Sequence, residues 1–255
     1  MGFPLRILLC ILLFYGSSVT AQNQKLRVAF ASSLLPAMQE IQNSFESKYD
    51  INLELIPGAS GTLTNQIMHG APFDVFISAN KKYSQLLFEK GLLTGQPINF
   101  IKGSLVIWSD TPLDISSSDN FKSLIEYLQK PRVQTIAMAQ PNLAPYGDAA
   151  EAFLTDIGIL NHIKTKLVYA LNVSIANQYI HTRGANIVIT SLSSQFILES
   201  SVPQYWYSIE YDSDLIHTLS RIKNENQTSN IFQDFLVDPK NKSIFLQYGY
   251  NLTIQ

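Results

Sequence analysis

The chain has 255 residues, 46% of them hydrophobic and 15% charged, enough to bury a sizeable core in one large domain or two small ones. Its formal net charge is −2, with Lys and Arg scattered, which excludes the basic surface a nucleic-acid partner requires. Cys10 is the sole cysteine, so no disulfide framework can form within the chain.

The N-terminus reads as an export address. MGFPLR carries one positive charge at Arg6, an apolar stretch runs from Ile7 to Gly16, and SSVTA supplies small residues before Gln22, where cleavage is expected. The apolar run is too short for a permanent membrane anchor. It lacks the caps and periodicity of a buried helix, and Cys10 lies inside the run, where it would not serve as a lipid anchor. Loss of residues 1–21 removes Arg6 and Cys10 and leaves 17 basic against 20 acidic residues, net −3. A Cys metal site or Cys nucleophile is then impossible. The expected product is an exported, soluble protein of the periplasm.

Strand-like and helix-like segments then alternate. KLRVAFA (25–31) is a short apolar strand, and Leu34, Met38, Ile41 and Phe45 follow on one helical face. NLELIPG (52–58) predicts a second strand, and a short helix carrying Leu63 and Ile67 ends at Gly70 ahead of Pro72. FDVFISA (73–79) predicts a third strand and KYSQLLFEKGLL a helix up to Gly91. Later strands are expected at 104–109, 135–140, 166–171 and 185–191, with helices at 121–129, 147–158 and 173–183 between them. A closing helix, SNIFQDFLVD, precedes KNKSIFLQYGY; SSSD at 116–119 reads as a plain loop. The β-α-β opening argues for α/β architecture with helices on both faces of a parallel sheet. Two α/β halves fit the length, with crossings near 101–106 and 205–213. The N-x-S/T matches at Asn172, Asn226, Asn241 and Asn251 read as chance occurrences.

Four strand-to-helix corners carry small or polar residues: ASSL (31–34), GASGTL (58–63), APYG (144–147) and LNVS (171–174). Ligands of open parallel sheets sit beyond the carboxyl ends of the strands. Helix starts there aim unsatisfied N–H groups and a positive dipole end at any anion. The serines could instead simply cap their helices. Nucleophilic catalysis is the third possibility, but GASGT has threonine where a G-x-S-x-G turn needs glycine. A triad would also need a histidine near a corner. His69 and His181 lie toward helix ends, His162 beyond a helix end, and His217 in a late polar segment. No metal-ligand spacing is present.

These residues carry a resemblance. VAFASSLLPAMQEI, IPGASGTLTNQIMHGAPFDVFISAN, IAMAQPNLAPYGDAAEAFL and NVSIANQYIHTRGANIVITSLSSQ together resemble the periplasmic molybdate-binding proteins of ABC-type molybdate importers, from about Arg27 to the C-terminus. The resemblance implies a two-lobed periplasmic binding protein fold, each lobe a mostly parallel sheet flanked by helices. Lobe I would comprise residues 22–102 and 212–255, and lobe II residues 103–211. It implies that Ser33 and Ser60 donate hydroxyls and N–H groups, and that Tyr146 and Val173 donate backbone N–H groups. Ser191 stands at a last ligand position that is a tyrosine in some members. It further implies a monomer that is not an enzyme, holds no cofactor, and delivers molybdate or tungstate as cargo to an inner-membrane ABC permease with its ATPase. A cage of donors without acceptors rejects protonated anions, whereas only cavity size separates molybdate from sulfate. Another small oxyanion such as sulfate or thiosulfate is the nearest alternative. An exported serine hydrolase or the ligand-sensing domain of a regulator lies further off.

Overall fold

The computed structural model describes residues 24–113, 121–197, 205–224 and 226–253; the expected leader at 1–21 and the loop at 116–119 lie outside them. The first half runs β1 (Gln24–Ala31), α1 (Leu35–Glu46), β2 (Ile51–Gly58), α2 (Ser60–Met68), β3 (Val75–Ser78), α3 (Lys81–Glu89) and β4 (Ile98–Lys102). The chain then crosses into β5 (Leu105–Ser109), α4 (Lys122–Gln129), β6 (Ile136–Ala139), α5 (Pro145–Asp156), α6 (Leu160–Ile163), β7 (Leu167–Ala170), α7 (Val173–His181), β8 (Ile187–Ser191) and β9 (Tyr205–Ser208). It returns through β10 (Ile216–Arg221), α8 (Thr228–Val237), α9 (Pro239–Gln247) and β11 (Asn251–Leu252).

Two sheets result, with strand orders β11-β4-β10-β3-β1-β2 and β7-β6-β8-β5-β9. The centre of each is parallel: β1 pairs with β2 and β3, and β6 with β7 and β8. The strands next to the crossings run the other way, β10 against β3 and β4, and β5 against β8 and β9. Each sheet is therefore mixed, because a chain that leaves a lobe and later returns must re-enter its sheet reversed. Where the two crossings meet, Gly103 N–H donates to the Leu215 carbonyl at 2.9 Å.

Burial on both faces explains the near-continuous apolar strands. Leu26, Val28 and Phe30 of β1 pack with Leu34, Met38, Ile41 and Phe45, while Ala29 faces Leu63, Phe76 and Leu87 on the other side. Phe45 meets Phe232 edge to face, with ring centroids 5.0 Å apart. The core of the second lobe is continuous with Ala31, Ala59 and Ala79 of the first, so the two lobes are in contact across the cleft. Most boundaries shift by a residue or two from the sequence reading, and one of these shifts bears on the site. α5 starts at Pro145, two residues before Gly147, because proline suits the first helical position. Gly147 lies within the helix, where a Cβ would come 2.4 Å from the Ala139 carbonyl.

Candidate functional site

The four corners converge on one small cavity. Ala31 to Ser33, Gly58 to Ser60, Ala144 to Tyr146, and Asn172 with Val173 line it, together with Ala79. Its volume is about 10 Å³, room for roughly one water. No residue of this lining carries a formal charge.

The helix starts around it are bare. Alanine occupies the position before the first helical residue at three corners, Ala31, Ala59 and Ala144, where no side chain caps the turn. At the fourth, Asn172 accepts from Ile175 N–H at 3.0 Å. Ser33 and Ser60 therefore do not act as caps. Ser60 is fully buried and accepts from Ala79 N–H at 3.0 Å, which leaves its own proton to donate. Tyr146 and Val173 occupy the first turns of α5 and α7, where an N–H has no carbonyl four residues back within the helix. Ser191 differs. It is buried off the cavity wall, its hydroxyl 2.8 Å from Ser193 Oγ and 3.0 Å from Ser194 Oγ. The structure thus brings together four of the five sequence-predicted residues and seats the fifth behind them.

Hydrogen bonds clamp the lobes around the cavity. Gly61 N–H donates to the Leu143 carbonyl and Tyr83 hydroxyl to the Asn142 carbonyl, each at 2.8 Å. Ser174 N–H donates to Ser32 Oγ and the Ser174 hydroxyl to the Ser32 carbonyl, each at 3.2 Å. Asn142 has a left-handed backbone, φ 66°, steadied by its N–H donating to Asp148 Oδ1 at 2.6 Å. Burial, with Asp148 nearby, pushes the Tyr83 hydroxyl up to about 12.

Sequence reasoning missed what lies behind Ser33. His217, read as part of a late polar segment, is fully buried in β10, with Nε2 3.4 Å from Ser33 Oγ. The pairing of β10 with β4 shifts register between His217 and Thr218, passing over Phe100, and no sequence pattern announces such a shift. Burial pushes the imidazole down to about 4, opposed by its contact with the Leu215 carbonyl. Tyr250 stacks edge-on against the ring, centroids 5.2 Å apart, and donates to the Ser33 carbonyl at 2.7 Å. The Tyr250 hydroxyl is pushed up to about 12, mainly by burial. Tyr146 projects into the same cluster, and its buried hydroxyl is raised well above the usual range by desolvation.

Uncapped helix starts and serine hydroxyls around an uncharged, water-sized space suit a small anion. Residues 26–251 match the family model of bacterial extracellular solute-binding proteins. The chain belongs to that family. This solute-binding protein is 28% identical over 240 residues to molybdate-binding protein ModA of Azotobacter vinelandii, covering 91% of this chain and 92% of that one. With the Escherichia coli protein of the same name it shares 26% over 249 residues, 93% of each chain. In fold it matches the Azotobacter vinelandii periplasmic molybdate-binding protein with a TM-score of 0.80, at 24% identity over 90% of this chain and all of that one. A sulfate-binding protein, SubI of Mycobacterium tuberculosis, matches with a TM-score of 0.65 at 12% identity, over 90% of this chain and 87% of that one. The fold alone therefore does not name the solute. Among the described residues no group of three or more His, Cys, Asp or Glu could hold a metal ion, and no helix is long and apolar enough to cross a membrane.

Proposed function

We propose that this solute-binding protein captures molybdate, and tungstate with it, in the cavity between its lobes and hands it to an inner-membrane ABC permease. The observation that carries the reading is the lining itself: bare helix starts from both lobes and the Ser33 and Ser60 hydroxyls face an uncharged cavity. The curated relatives named for molybdate binding supply the choice of anion. Ser33 and Ser60 donate hydroxyls, and Tyr146 and Val173 donate N–H groups. Ser191 supports Ser33 at one remove, since Ser193 links the Ser191 hydroxyl to the Ser33 carbonyl.

A tetrahedral dianion is costly to strip of water unless every oxygen is met by donors. Hydrogen bonds to a charged group are worth about 1.5–3 kcal/mol each, so a handful supports micromolar or tighter binding after ordering costs. The space of about 10 Å³ is too small for such an anion, so loading requires the lobes to part and re-close around it. On this reading molybdenum is cargo, the protein carries no cofactor, and residues 1–21 direct export to the periplasm.

The Ser33–His217 contact invites comparison with a nucleophile and its base. Here Nδ1 of His217 faces a main-chain carbonyl where a triad places a carboxylate, and the imidazole titrates too low to serve as a base at neutral pH. Binding without turnover fits this geometry better.

Thermal unfolding of residues 22–255 with millimolar molybdate, tungstate, sulfate or phosphate tests the reading. A ligand at a thousandfold excess over Kd stabilises by about 4 kcal/mol. A rise in melting temperature with molybdate and tungstate alone is expected. A rise with sulfate instead would change the cargo, and none at all would refute anion binding.

A further inference from the structure

Within the anion-binding reading, the buried cluster behind Ser33 poses a proton problem. Ser33 has one hydroxyl proton, and His217 Nε2 stands 3.4 Å from its oxygen. His217 Nδ1 lies 3.2 Å from the Leu215 carbonyl, an acceptor, so the ring carries its proton on Nδ1 and offers Nε2 as a lone pair. In this arrangement Ser33 gives its proton to His217 and turns lone pairs toward the cavity, the wrong polarity for an anion.

The donor that resolves this is present and unspent. The Tyr146 hydroxyl is buried and makes no hydrogen bond of ordinary geometry, although Ser33 and Tyr250 stand close enough to interact with it. A Cβ on Gly103 would fall 2.1 Å from this hydroxyl and 3.1 Å from His217 Cε1, so phenol and imidazole border the same point. The other hydroxyls of the cluster are committed: Tyr250 donates to the Ser33 carbonyl at 2.7 Å and Ser193 to the same oxygen at 2.6 Å. An unpaired buried hydroxyl is unfavourable, and a short movement would pair it.

We propose that His217 is a positioning residue for the anion site: its Nε2 holds the Ser33 proton while the cleft is empty, and on loading the Tyr146 hydroxyl takes over at Nε2, turning the Ser33 proton to the anion. The exchange leaves no donor orphaned in the loaded state. It also makes Tyr146 contribute twice, by its N–H directly and by its hydroxyl through His217.

A double-mutant cycle with molybdate as the titrant tests this in residues 22–255. Tyr146→Phe should weaken binding about tenfold, because Nε2 then competes with the anion for the Ser33 proton. In a His217→Leu background, where nothing competes, the same change should alter Kd by less than about twofold. In Ser33→Ala, where there is no proton to direct, it should again have almost no effect; this arm decides should His217→Leu fail to fold. Equal losses in all backgrounds would mean Tyr146 only packs, and would overturn the proposal while leaving molybdate binding intact. Absence of binding by the unmodified chain would overturn both.

Discussion

His217 is a histidine kept neutral by its surroundings: every face of the ring is covered by Ser33, Tyr146, Tyr250 and the Leu215 carbonyl, and none of these carries a charge at neutral pH. Its pKa falls to about 4 from an ordinary 6.5, so as pH drops the unfolded chain takes up this proton first. The stability it contributes is whole above about pH 6.5 and lost progressively down through about 4, on the order of 3 kcal/mol in all. Urea unfolding without ligand at pH 7.5 and 4.5 should therefore show a larger acid loss in the natural chain than in His217→Gln. Equal losses would mean that the folded protein accommodates the charged ring. Glu54 and Asp212, whose carboxyls are lowered by hydrogen bonds from Lys25 and Lys102, titrate in acid too but are common to both proteins. The four corners were legible because each is a place where an apolar run gives way to a helix start; the choice of Ser33, Ser60, Tyr146 and Val173 within them came from the family resemblance. His217 was not legible, since it reaches the site from a strand 184 residues from Ser33 whose segment is polar in pattern.

At the level of elements, the corners work only if α2 can approach the loop before α5. Gly61 makes that possible: a Cβ there would meet the Leu143 carbonyl and the Tyr83 hydroxyl, each at 2.9 Å. Alanine at this helical position favours α2 itself, by up to about 1 kcal/mol. Gly61→Ala should thus lower the ligand-free melting temperature only modestly, the helix-propensity gain offsetting part of the clash, while weakening molybdate binding tenfold or more, since closure is obstructed. Calorimetric titration beside a melting curve separates the two effects, and an unchanged Kd would show that the Gly61–Leu143 contact plays no part in the loaded form. The elements that build the corners could be read from periodicity alone. β3 is apolar and buried on both faces, as is the second half of β1, and Leu34, Met38, Ile41 and Phe45 are all buried. β4, β9 and β10 escaped because INFIK, YWYS and IHTLSR mix polar and apolar residues without a clean alternation. They are sheet members by virtue of partners distant in sequence, β10 filling the slot between β3 and β4.

For the molecule as a whole, the two crossings are where the lobe closure proposed above would hinge. Gly103 bonds to Leu215 across them, and Lys102 reaches Asp212 at 2.7 Å, an exposed pair worth little in salt. Gly103 is constrained by lobe II, since Tyr146 drives its hydroxyl to where a Cβ would be. Gly103→Ala should cost about 1–3 kcal/mol through overpacking, measured by urea unfolding. Tyr146→Phe should restore part of that loss in the double variant, because the ring carbon bearing the hydroxyl would lie 3.1 Å from the new methyl where the oxygen lies at 2.1 Å. Failure of the rescue would place the strain in the hinge backbone.

The alanines that leave three helix starts bare bear on how the protein can change over generations. A recognition surface written largely in main-chain amides survives turnover of the side chains around it, since any residue but one supplies the same N–H. Proline is the exception, and it is well tolerated at the first position of a helix. At Val173, the opening residue of α7, a single change to proline would leave a folded protein with one donor erased.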